Sequence, residues 1–347
     1  HQLDKPPFYL MGRSITALLG AATVIPVYVM SRRIAGRGSG VAAAVLVVVS
    51  PALIAKSQMI EVDVPLTLLV ACGMLAALRL GEGLTLGRAL VAGVLTGLAT
   101  TAKYPGLVLA VPCIVAIALG SRAPAPAAGR ARAGARVWNR VIAWPAACAV
   151  LGVAILAAVF VVSPYLFLDH RSALADLAVE REHMRLGHFG SDLGPTWLSY
   201  LRAWFGGIAG PSLALASAAG LVVFLAVRRR AWAVLLGSFV IAYAALVSSF
   251  AMKADRYLLP LLPAAIVFAC ALAAELCGRL AGAAPGVPMS REERRARTGP
   301  PVGGADRAAG PRSRSDATRS PARSGIALAG VAAVLVLPAL PALPALF

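Results

Sequence analysis

Long apolar runs alternate with short polar stretches that carry arginine, proline or glycine. Ten runs read as candidate spans: residues 14–30, 38–55, 64–80, 88–102, 106–120, 141–163, 211–227, 231–251, 257–277 and 325–346. A helix that crosses a bilayer needs about 17–25 residues. The fourth and fifth runs fall short of that. They are joined by "TTAKYPG", whose proline and glycine signal a turn, so the pair reads as a tight helical hairpin. A single re-entrant element is the alternative. The pattern predicts an all-α fold, a polytopic integral membrane bundle of about ten spanning helices.

The longest polar interruption outside the bundle is 164–210. Within it "ALADLAVEREHMRL" has helical spacing, with Leu174, Leu177 and Leu186 apolar and Glu180, Glu182 and Arg185 polar. This predicts a short amphipathic outer-loop helix lying at the membrane surface. "PTWLSYLRAWFGG" then places Trp197, Tyr200 and Trp204 as an aromatic belt entering the next span. Residues 278–324 are rich in Gly, Pro, Ser and Arg and cannot build a core, so they read as a disordered loop before a final helix at 325–347.

Composition sharpens the class. Of 347 residues, 59% are hydrophobic and 14% charged, against about half and a quarter in a soluble domain. The net charge of +18 raises nucleic acid as a partner, and its placement excludes that reading. One set of loops (31–40, 79–88, 121–140, 227–230 and 278–324), with Glu275 counted on that side, holds 23 of the 33 basic residues and 6 of the 15 acids, net +17. The other side is net +1. This asymmetry makes the Arg-rich side cytoplasmic and the chain a multi-pass protein of the inner (plasma) membrane. The sequence begins at His1 with no signal-peptide pattern and reads as lacking its N-terminus. The five cysteines lie in or beside apolar runs without metal-ligand spacing, and read as small core residues.

Reactive variety sits on the opposite, outer face. All four lysines (Lys5, Lys56, Lys103, Lys253) and all four histidines fall there. Four short stretches stand out: "LDKPPFY", "SQMIEVDVPLT", "TTAKYPG" and "AMKADRYLLP". Each puts a charge at the mouth of a span, where ionisable groups must be hydrated, paired or used. A lone lysine there is usually a snorkelling anchor. Four such stretches argue instead for one shared pocket. In "DKPP", Pro6 and Pro7 remove two backbone donors and disfavour helix before them, which holds Asp4 and Lys5 outside the first helix at headgroup depth.

The run from "DKPPFYLMGR" to "SQMIEVDVPLTLL", followed by "GLATTAKYPGLVL", "SPYLFLD" and "DRYLLPLLPA", resembles the membrane glycosyltransferases of the GT-C class. Within that class it is most similar to the bacterial protein-mannosyltransferase-like and aminoarabinose-transferase-like group. The resemblance covers about residues 1–277. It implies an enzyme that takes a sugar from a polyprenyl-phosphate donor and passes it, by inverting displacement, to a protein, lipid or glycan acceptor outside the cytoplasm. Members carry an acidic pair in a first outer loop ahead of the "KPP"-like stretch. The chain starts after that place, so the resemblance puts the general base upstream of His1.

That chemistry needs a base for the incoming hydroxyl and cations for the departing phosphate. The carboxylates expected to take part are Asp4 and Asp63, with Glu61 third. The expected phosphate-binding cations are Lys5, Lys103, Lys253 and Arg256. Tyr104, His183 and His188 are candidates for the acceptor side, the two histidines with a polar-face role as the plain alternative. By the resemblance, Asp4 could also help hold a divalent metal. A transporter or lipid flippase is the competing function. Such proteins place charges or broken helices near the midplane in matched halves, whereas the mid-span positions here are almost all Ala, Val, Leu and Gly. A non-catalytic membrane scaffold is the third reading.

Overall fold

A computed structural model describes residues 6–120, 133–187 and 194–280. Among them the chain forms helices and no strand. The first apolar run becomes two nearly continuous helices, α1 (Pro6–Ala22) and α2 (Val24–Ala35), which together are long enough to cross a membrane. Gly36, at φ 92°, turns the chain into α3 (Arg37–Val48). The hydroxyls of Ser31 and Ser39 meet at 2.8 Å and fasten α2 to α3. Intrahelical bonds from Thr16 and Thr96 to the carbonyls of Gly12 and Ala92 satisfy hydroxyls that have no water to bond in a bilayer.

The run 38–55 is not one straight span. It breaks between α3 and α4 (Pro51–Ser57) with a bend of 51°. Pro51 has no N–H to continue the ladder, and the Ser50 side chain accepts from Leu53 N to start a new helix. The bend directs α4 and the following turn towards the head of α5 (Asp63–Glu82). The short pair is α6 (Leu86–Ala102), an extended Lys103, a 3₁₀ turn (Tyr104–Leu109) and α7 (Ala110–Gly120). Both arms pack on α5, as a hairpin would.

Next come α8 (Ala133–Val162), α9 (Tyr165–Leu168), α10 (His170–Leu186) and α11 (Thr196–Ala203). A π-helical turn, Trp204–Ile208, leads into α12 (Gly210–Val222), itself extended by a second π turn over Val223–Val227. Then α13 (Ala231–Ser248) precedes a 3₁₀ turn (Asp255–Leu261) and α14 (Leu262–Leu280). The amphipathic helix expected in the outer loop is α10, which fully buries no residue and half-buries Ala173, Leu177 and Met184.

Six helical stretches are long and apolar enough to cross a membrane, or seven with the bent pair counted as one span. The expected tenth span, 325–346, and the loop before it from residue 281 lie outside the described residues. α14 is the most deeply buried span and packs against α2, α3 and α12. α8 lies outside, with Val153, Phe160 and Val161 exposed as a lipid-facing helix requires. It approaches α6 closely because Gly93 and Gly97 offer no Cβ: one built at Gly97 would sit 2.6 Å from the Ala158 Cβ.

Candidate active site

Five charges converge at one end of these helices. Asp63 opens α5, where the unpaired amides of the first turn favour a carboxylate, and its side chain is 2% exposed. Lys103 ends α6 in an extended conformation, and its Nζ donates to Asp63 Oδ1 at 2.7 Å. Arg256, from the 3₁₀ turn before α14, puts Nε 3.6 Å from Asp63 Oδ2 and Nη1 3.4 Å from Glu61 Oε1. Lys56, near the end of α4, lies 3.8 Å from the same Glu61 oxygen. Tyr257 floors the group, with the Lys103 ammonium 3.9 Å from its ring centroid and the Arg256 guanidinium at 5.9 Å.

Three cations face two carboxylates, so the group carries net +1. The Glu61 Oε2 is buried and accepts no hydrogen bond among the described residues. Burial pushes the Lys103 pKa below its ordinary value against the opposing pull of Asp63.

The structure therefore joins four of the residues expected from sequence: Glu61, Asp63, Lys103 and Arg256. Lys253 takes another course, with Nζ donating to the Gly194 carbonyl at 2.6 Å. Tyr104 is exposed and lines a cavity of ≈ 880 Å³ beside Lys103, between the end of α6 and the α8–α10 segment. His183 is exposed on α10. Asp4, Lys5 and His188 lie outside the described residues, and with them the metal role of Asp4. Among the described residues no group of three or more His, Cys, Asp or Glu could hold a metal. All five cysteines are free, Cys113 and Cys270 fully buried among apolar neighbours.

Sequence reasoning gave Lys56 no role beyond its place among the four lysines of that face; the turn at 58–62 brings Glu61 back to it. It also passed over the residues that fasten the segment 250–254 leading to Arg256. Thr196 Oγ1 donates to the Phe250 carbonyl at 2.7 Å, and the Tyr200 hydroxyl to the Met252 carbonyl at 3.3 Å. Burial pushes the Tyr200 phenol up to about 12, so it stays a neutral donor at physiological pH. The Met184 carbonyl accepts from both Ala251 N and Met252 N, which pins α10 to the same strap. Next to it runs an apolar groove of ≈ 330 Å³, walled by Trp197, Trp204 and Phe205 on one side and by Leu258 and Leu261 on the other. Leu258, a wall of the groove, follows Tyr257 directly in the chain.

Known proteins share this arrangement of helices. Residues 10–127 match the family model described as dolichyl-phosphate-mannose-protein mannosyltransferase. The crystal structure of ArnT from Cupriavidus metallidurans bound to undecaprenyl phosphate superposes with a TM-score of 0.51 at 19% identity, over 78% of this chain and 47% of that one. The fold is that of the GT-C membrane glycosyltransferases. The Archaeoglobus fulgidus oligosaccharyltransferase in its apo form aligns with a TM-score of 0.50 at 14% identity, over 96% of this chain and 44% of that one. The chain thus spans less than half the length of these two GT-C structures. No curated protein sequence matches it. The GT-C resemblance read from "DKPP", "TTAKYPG" and "DRYLLP" agrees with these matches.

Proposed function

We propose that the chain carries the donor site of a glycosyltransferase that moves a sugar from a polyprenyl phosphate to a protein, lipid or glycan acceptor. The observation that carries this reading is a net-cationic group whose Arg256 and Tyr257 are followed in the chain by Leu258, a wall of an apolar groove. A phosphate needs the first and a polyprenyl tail needs the second. ArnT, whose fold this chain shares, was crystallised with undecaprenyl phosphate. Asp63 opens α5 and the Arg33–Glu82 pair lies at the far end of that helix; together with the charge asymmetry of the sequence this supports a non-cytoplasmic site in the plasma membrane.

In this reading an acceptor hydroxyl attacks the anomeric carbon from the face opposite the phosphate and inverts it. The bond between carbon and phosphate oxygen breaks with its electron pair on the oxygen. Arg256 offers a planar fork to the phosphate oxygens, and Lys103 adds a second cation. Asp63 orients both cations. Its tight bond to Lys103 suits that role better than proton abstraction, so the proton of the acceptor hydroxyl goes to a base other than Asp63.

Binding decides the matter most directly. The protein in lipid nanodiscs should bind undecaprenyl phosphate at least tenfold more tightly than undecaprenol, which has the tail but no phosphate. Arg256→Ala should remove most of that difference, since a charged hydrogen bond contributes about 1.5–3 kcal/mol. Equal affinity for the phosphate and the alcohol would refute the reading.

A further inference from the structure

The donor site leaves the arginine-rich end of the bundle without a role. There the second π turn closes into "VRRR" before α13. Arg228 N donates to the Val223 carbonyl at 2.8 Å and Arg230 N to the Phe224 carbonyl at 2.9 Å, which caps the helix. Arg229 lies between them at φ +49°, the only non-glycine residue with positive φ among those described. That position at a helix end is normally given to glycine, because a Cβ is strained there. From α14, Glu275 accepts from both Arg228 and Arg279, so a single largely buried carboxylate serves two guanidinium groups. Arg229 and Arg230 are exposed and have no ion-pair partner among the described residues. Trp232 packs between Phe224 and Phe268, with centroids 4.9 and 5.3 Å away, and sets an indole at the same level.

Topology and the helix dipole call for basic residues here, and Arg228 and Arg230 already supply them. Neither calls for a strained arginine at a glycine position. We infer that this corner, formed by Arg228, Arg229, Arg230 and Arg279 around Glu275, is a binding site for the headgroup of an anionic phospholipid. Four guanidiniums against one carboxylate leave net +3. Their forks match phosphate oxygens in pairs, and the corner is built from the ends of α12, α13 and α14, as basic headgroup pockets between membrane helices are. Arg228 and Arg279 are held in place by Glu275, while Arg229 and Arg230 remain to close on the ligand. The left-handed turn at Arg229 keeps two consecutive side chains at the membrane edge, where a regular helix would rotate them apart. This inference does not depend on the sugar-transfer reading.

The test compares the whole protein in nanodiscs of phosphatidylcholine alone with nanodiscs that also contain phosphatidylglycerol, and reads the thermal midpoint and lipid retention by native mass spectrometry. Phosphatidylglycerol should raise the midpoint by about 5 °C at saturating lipid. Arg229→Gly with Arg230→Gln should abolish more than half of that rise and the retained lipid. Stability in phosphatidylcholine alone should be equal or higher, since Arg229→Gly relieves the backbone. The double change Arg37→Gln and Arg79→Gln removes the same charge at the same end of the bundle and should leave the rise intact. An undiminished rise in the 229/230 variant would overturn the assignment. So would an equal loss in the 37/79 variant, or an equal rise produced by inorganic phosphate in place of the lipid.

Discussion

Removal of Lys103 tests whether the buried pair organises the site. In Lys103→Met the Asp63 side chain, 2% exposed, keeps only Arg256 at 3.6 Å among the described residues, and that guanidinium is 42% exposed and screened by water. The lost contact is 2.7 Å long; at an effective dielectric of about 20 its Coulomb energy is about 6 kcal/mol. Lys103 also suffers less desolvation once it is gone, so the net loss falls to about 3–5 kcal/mol, the usual result of breaking one side of a buried pair. For a chain of this size that lowers the thermal midpoint by roughly 10 °C. The second variant, Lys103→Met with Asp63→Leu, removes the stranded carboxylate as well. It should recover most of the loss, because replacing a whole buried pair by apolar groups is often neutral. Intrinsic tryptophan fluorescence in detergent reads both midpoints. The double variant should be stable yet unable to bind undecaprenyl phosphate. A single variant as stable as the parent, or a double variant as unstable as the single, would refute the reasoning.

Two further outcomes follow from the same coordinates. Lys103 titrates below its ordinary value of 10.5 because of burial, so donor binding should begin to fall at a lower pH than for an exposed lysine, and Lys103→Arg should move that limb upward. The unfolded chain holds this proton more tightly between the lowered value and 10.5, so stability rises with pH in that window while binding falls. At the α6–α8 contact, Gly97→Leu should cost about 1–3 kcal/mol or more by overpacking, since its Cβ would stand 2.7 Å from the Ile155 carbonyl oxygen. Gly152→Ala, where nothing lies within 4 Å, should instead be neutral or stabilising by about 0.5–1 kcal/mol; thermal midpoints check both.

The spans were legible because burial in lipid demands long apolar runs, and hydropathy averages over them well. The break at Ser50–Pro51 was not, since averaging 38–55 conceals a single residue that cannot donate. Lys103 and Lys253 looked equivalent in sequence, each a lysine shortly before a tyrosine near a span. What separates them is tertiary: Lys103 meets a carboxylate 40 residues away, whereas Lys253 bonds a backbone carbonyl 59 residues away. Lys56 showed the opposite error. Its partner was only five residues off, but the α4 bend that turns the two together has no signature in charge spacing. Thr196 and Tyr200 fasten the Phe250 and Met252 carbonyls, ahead of Arg256, through hydrogen bonds across 54 and 52 residues, beyond the reach of any local pattern.

The charge count of the site bears on Lys5. The described group is net +1, which balances the single negative charge of a sugar–phosphate diester. The departing polyprenyl phosphate is a monoester, with about −1.5 to −2 at pH 7. The group therefore matches the donor better than the leaving group, and another cation is needed only as the bond breaks. "DKPP" puts Lys5 immediately before α1, and α1 packs on α4 and α5, with Gly12 against the Ile60 side chain next to Glu61. An interaction made only in the transition state affects turnover and leaves ground-state affinity alone. Lys5→Gln should therefore leave the Kd for undecaprenyl phosphate-linked sugar within about twofold while lowering kcat by about 10²–10³, the cost of one lost charge-stabilising donor. Arg256→Ala should weaken donor binding as well. Single-turnover transfer with purified donor separates the two effects. If Lys5→Gln raised Kd as much as Arg256→Ala and left kcat unchanged, Lys5 would be a ground-state phosphate ligand and the charge argument would fail.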